Sequence, residues 1–147
     1  MALVWMSGWA LELAKSAKTR SVTASQVRAY ARKADEYAAA AASELEAGRR
    51  IAATSLAVHA AINAADAVCG ARLGQRGAGD DHAQVLTLLR QAGNDGAAIE
   101  SDLRRMLPLK TRAEYEPDDI APSDAARAVE RAQRCALVSH RVANTIR

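Results

Sequence analysis

The sequence predicts an all-α protein, an up-and-down bundle of four to five helices preceded by a short N-terminal helical arm. Three observations carry that expectation. Alanine fills 36 of the 147 positions, and it combines the best helix propensity with the smallest apolar side chain, so helices form readily and approach closely. Apolar residues recur at helical spacing, and no segment of useful length shows the alternation of a strand. Capping and breaking residues fall between the periodic runs and leave only short connections, as in a bundle. The length fits a single core, divided here into an arm, residues 1–23, and a bundle domain, residues 24–147.

In the arm, Trp5, Trp9 and Leu13 recur every four residues and form one helical stripe. SVTAS then offers hydroxyl caps for a helix from about Ala24 to Ala47, with AAAAA at its centre and Gly48 as its stop. A second long helix follows from about Arg49 to Leu73. The glycine-rich loop GQRGAGDD reads as a flexible connection whose Asp80 or Asp81 caps a short helix from His82 to Ala92. Asn94 or Asp95 is the expected cap of the next helix, which runs through Ile99, Leu103 and Met106 until Pro108 kinks or ends it. LKTRAEY adds a turn or two, EPDDIAPS breaks the chain, and Ser123 is the expected cap of a final helix reaching about Asn144.

The net charge of +3 is unevenly placed. Residues 1–33 hold Lys15, Lys18, Arg20, Arg28, Arg32 and Lys33 against Glu12 alone. Such a segment is either a solvated face or a contact for phosphate or an acidic partner. Two cysteines, Cys69 and Cys135, are too few for a disulfide framework and suit a reducing compartment. The N-terminus places apolar residues before positive charges, the reverse of a secretory signal, and no uninterrupted apolar run has the length of a membrane span. A cytoplasmic protein without membrane contact is expected. No metal or cofactor is expected either. Three histidines and two cysteines show no ligand spacing, and GQRGAGDD lacks the lysine and preceding strand of a phosphate loop. Ser139 and His140, as helix neighbours, point apart and make no nucleophile–base pair.

One stretch is unusual. IAATSLAVHAAINAADAVCG, residues 51–70, is apolar on most of its circumference, yet Ser55, His59, Asn63 and Asp66 form one polar stripe along it. The stripe is read in three ways: a hydrogen-bond network that fixes helix register, a seam paired across a two-fold dimer, or the lining of a pocket where His59 and Asp66 do chemistry. The last two residues stand about 10 Å apart along the axis and cannot form a direct dyad, so a structural role is preferred. The final helix carries a second stripe, Arg127, Arg131, Arg134 and Arg141, either a phosphate-tracking surface or a solvated face balanced by Asp124 and Glu130. With five aromatic residues and no phenylalanine, the chain is poorly equipped for base stacking.

The order of these features resembles the HEPN superfamily. The alanine-rich helix with its Ala-Ala-Asp-Ala core, the loop leading into DDHAQVLTLL, and LPLKTRAEYEPDDIAPSDAARAVERA carry the likeness across roughly residues 25–140. Many members have a basic residue before Ala-Asp-Tyr; here Arg112 precedes Ala113, Glu114 and Tyr115, with Glu in place of Asp. The resemblance implies a helical bundle, usually a homodimer, of toxin–antitoxin, phage-defence or RNA-processing systems. Active members cut RNA without metal, using Arg and His separated by four to six residues. Arg134 and His140 have that separation, as do Arg76 and His82, although with sixteen arginines chance suffices to place such pairs. On an ideal helix Arg134 and His140 are rotated roughly 120° from one another, so a dimer cleft would have to gather them.

Two functions are therefore expected to compete. The first is a non-catalytic HEPN-like module that dimerises and binds RNA or an antitoxin-like protein, with Arg112, Tyr115, Arg127 and Arg131 as phosphate or partner contacts. The second is a metal-independent endoribonuclease using Arg134 and His140. The first is preferred.

Overall fold

The computed structural model describes residues 18–79 and 82–146; the stripe of Trp5, Trp9 and Leu13 expected in the arm lies outside the described residues. The elements are β1 (Thr19–Ser21), α1 (Ala24–Glu46), α2 (Arg50–Leu73), β2 (Gln75–Gly77), α3 (His82–Arg90), α4 (Gly93–Tyr115) and α5 (Pro122–Ala143). The fold is all-α, with five helices among the described residues and one small ribbon.

α1 starts at a capping box: the Gln26 N–H donates to Thr23 Oγ1 at 3.2 Å while the Thr23 N–H donates to Gln26 Oε1 at 2.9 Å. Its buried residues, Val27, Ala31, Ala34, Ala38 and Ala41, recur at alternating spacings of four and three, the seam of two helices packed lengthwise. Four of the five are alanines, so α2 comes close. α2 is the centre of the bundle, packed against α1, α5 and α4 in turn. It ends at Gly74, whose φ of 69° makes the left-handed cap that glycine adopts without strain. Larger side chains then fill the space that alanine leaves: Leu89 from α3, Ile99, Leu103 and Met106 from α4, and Ile120 from the loop before α5 are all fully buried. α2 is long and apolar enough to cross a membrane by length and composition alone, but most of its apolar window is buried inside the bundle.

Several local expectations are corrected. Residues 19–21 are extended rather than helical, and they pair antiparallel with residues 75–77 of the supposedly flexible loop. Three-residue strands are too short to show a period, and this ribbon is closed by contacts remote in sequence. α4 runs through Pro108 to Tyr115. The exposed proline sits between Met106 and Leu109, both buried, and that burial outweighs the lost backbone hydrogen bond. Neither Asn94 nor Asp95 caps α4, which starts at Gly93 without a side-chain cap. α5 begins one residue before Ser123, with Pro122 in its first turn, where the missing N–H costs nothing.

Candidate functional site

The polar stripe of α2 lies along its edge, where it meets α1. Ser55, His59, Asn63 and Asp66 are all half-buried, whereas the fully buried polar side chain of this helix is Thr54, whose Oγ1 has no hydrogen-bond partner. α1 brings Tyr30, Lys33 and Tyr37 to the same edge at spacings of three and four. Because the two helices form an antiparallel hairpin, Tyr37 falls beside His59, with ring centroids 5.6 Å apart, and the charge of Lys33 reaches Asp66. At the ribbon end the Arg76 guanidinium lies over the Tyr30 ring, 5.8 Å from its centroid, and donates to the Gly77 carbonyl at 2.9 Å.

The stripe is not a continuous hydrogen-bond network. Within it Asn63 Nδ2 donates to the His59 carbonyl at 2.8 Å, and the other members turn to different neighbours. His59 Nε2 stands 3.6 Å from Glu114 Oε1 on α4. Ser55 lines an open cavity of about 520 Å³ between the α1–α2 turn and the end of α4, with Arg50, Ala113 and Asp119 in its wall. Burial pushes the Asp66 carboxyl up to about 7, against the opposing pull of Arg76 and Lys33. One turn on, burial and the Asp66 charge push the Cys69 thiol up to about 12, which removes it as a nucleophile at neutral pH.

On α5 the structure separates the two residues singled out for catalysis. Arg134 is drawn to α4, where Nη2 donates to Asp102 Oδ1 at 2.8 Å and Nε to Oδ2 at 3.3 Å. His140 is drawn to α1, its Nδ1 2.9 Å from Asp35 Oδ2. Leu137 lies between them and is 67% exposed. It borders a shallow groove of about 240 Å³ walled by Ala38, Ala39 and Ala136 together with Asp35 and Gln133.

Nor do the α5 arginines form an unbroken cationic stripe. Arg131 Nε lies 4.0 Å from Asp102, and Arg141 donates to Asp95 at 2.8 Å. Arg127 is exposed and makes no ion pair among the described residues. Arg112 lies 3.5 Å from Asp124, and Tyr115 is 75% exposed with the Lys110 ammonium over its ring. In the other pair at nuclease spacing, Arg76 is taken by Tyr30 and the ribbon. Among the described residues no group of three or more His, Cys, Asp or Glu side chains could hold a metal ion.

Two of the acids that organise these contacts, Asp35 and Asp102, have no part in the motifs of the sequence. Asp102 carried a signal. It lies at helical spacing from Ile99 and Met106 and next to Leu103, on the apolar face of α4, where an unpaired carboxylate would be costly. An arginine on a neighbouring helix was therefore to be expected.

A family model described as the HEPN domain matches residues 27–138, from the first buried residue of α1 to the last turns of α5. No curated protein matches the chain.

Proposed function

The chain belongs to the HEPN domain family, and from that membership we propose that it is a non-catalytic module that self-associates and binds an RNA or protein partner in a defence or toxin–antitoxin type of system. The separation of Arg134 from His140 carries this reading. Cleavage at a ribose 2′-hydroxyl needs a proton acceptor and a cation within hydrogen-bonding reach of one phosphodiester. Here the guanidinium is held by Asp102 on α4 and the imidazole by Asp35 on α1, so one copy presents no such pair. Leu137 and the alanine-walled groove beside it favour self-association, since small side chains let a second helix approach closely. Two buried free cysteines suit a reducing compartment, and we place the protein in the cytoplasm.

The competing endoribonuclease reading draws on one observation. The Arg134 and His140 side chains remain 52% and 57% exposed, so a second copy has access to both. Purified full-length protein incubated with labelled RNA at equimolar ratio separates the two. No cleavage by the wild type is expected, and His140→Ala should behave identically. Cleavage by the wild type that His140→Ala abolishes would overturn the proposal in favour of the enzyme. Self-association is read by light scattering after gel filtration, where Leu137→Asp should shift a dimer toward monomer.

A further inference from the structure

The charged side chains of this protein are sorted by location. Ten of the eighteen described Lys and Arg side chains lie within 4.0 Å of a carboxylate. Of the eight that do not, six are Lys18, Arg20, Arg28, Arg32, Lys33 and Arg76, on the ribbon and the first turns of α1; the others, Arg105 and Arg127, are on α4 and α5. The basic bias of the N-terminal third is thus left uncompensated among the described residues, while most described cations elsewhere are paired.

One contact makes the ribbon surface unfavourable in the absence of a ligand. Arg20 and Arg76 are direct partners in the ribbon register, which sets their side chains on one face about 5 Å apart at Cβ, where like charges destabilise an antiparallel pair. Arg28 and Arg32, at a spacing of four on α1, lie on the other side of its buried seam from Tyr30 and Lys33. The nearby acids do little to offset these charges. Asp35 is engaged by His140, Glu36 is solvated, and Asp66 sits half-buried beneath Lys33 and Arg76 without a hydrogen bond to either. The ribbon and Tyr30 nevertheless hold Arg76 in place.

We propose that the surface built from Lys18, Arg20, Lys33 and Arg76 binds the phosphate backbone of a nucleic acid strand. Two of the four are arginines, whose planar fork matches two phosphate oxygens better than an ammonium does. Among the described residues Tyr30 is the aromatic ring at this surface, and one of its faces is taken by Arg76, so the contact is to backbone rather than to stacked bases. Binding is therefore insensitive to sequence and steeply sensitive to salt. No residue of α5 takes part, so the inference stands whether or not the chain dimerises or cleaves RNA.

The test is fluorescence anisotropy of the full chain with labelled 20-nucleotide RNA and DNA strands of mixed sequence. If about four phosphates are contacted, raising salt from 50 to 200 mM should weaken binding roughly 50-fold. Arg20→Ala with Arg76→Ala should weaken binding at least tenfold at 50 mM salt and flatten the salt dependence. Lys18→Gln with Lys33→Gln, which leaves the ribbon pair in place, should do likewise should the first pair perturb the ribbon. Arg105→Ala should have no effect. RNA and DNA should bind within a few-fold of one another. Absence of binding at 50 mM salt, or indifference to both double substitutions, overturns the proposal. Competition by polyglutamate as effective as that of an equal length of oligonucleotide also overturns it, in favour of an acidic protein.

Discussion

Arg134 grips Asp102 at two points across the α4–α5 interface, through Nη2 at 2.8 Å and Nε at 3.3 Å. Asp102 is only 8% exposed, so its carboxylate depends on this fork, with Arg131 at 4.0 Å as the second cation. Arg134→Ala should lower unfolding stability by about 1–2 kcal/mol, because it leaves a largely buried carboxylate short of donors. Arg134→Lys should restore only part of that, since an ammonium cannot make both bonds. Urea denaturation measures both, and equal stability of the three proteins would show that the pair contributes nothing.

Thr54 is the opposite case, a buried hydroxyl with no partner. Thr54→Val removes the desolvated oxygen and keeps the branched shape. It should stabilise the protein by about 1 kcal/mol and raise Tm by roughly 2–4 °C. A fall in Tm on calorimetry would mean that the hydroxyl is satisfied in solution.

Asp66 makes stability depend on pH. Its carboxyl, ordinarily near 3.8, is pushed up to about 7 by burial. Between these values the native state holds a proton that the unfolded chain releases, so stability falls as pH rises from about 4 to about 7 and then levels off. The fall is at most about 4 kcal/mol. Asp66→Asn should remove this slope while leaving the protein folded. Parallel stability–pH curves for the two proteins would contradict the assignment.

Gly96 allows α4 to start against the end of α3. A Cβ there would lie 2.2 Å from the Leu89 carbonyl oxygen and 2.6 Å from Ala92 Cβ. Gly96→Ala should therefore cost about 3 kcal/mol despite the better helix propensity of alanine. An unchanged denaturation midpoint would show that α3 and α4 separate without penalty.

The five helices were legible because their signals are local. Thr23 with Gln26 caps α1, Gly48 and Gly74 end helices with positive φ, and the four-three spacing of Val27, Ala31, Ala34, Ala38 and Ala41 marks a packed face. Alanine content makes a close approach of helices readable, and spacing alone sets the polar stripe on one side of α2. Its meaning was not legible. Whether Ser55, His59, Asn63 and Asp66 face a core, a pocket or an edge depends on where α1 and α4 stop covering α2, and no local spacing encodes that.

The arginines make the same point. Local sequence determined that Arg127, Arg131, Arg134 and Arg141 stand on one helix and that His140 follows Arg134 by six residues. Only the tertiary structure decided that Arg134 turns to Asp102 and His140 to Asp35, and that Arg20 and Arg76, 56 positions apart in the chain, stand opposite one another without a carboxylate between them. Helix propensity and capping act over a few residues, so composition and order suffice to set them. Charge pairing acts through space, and its outcome is fixed by which helices the core brings together.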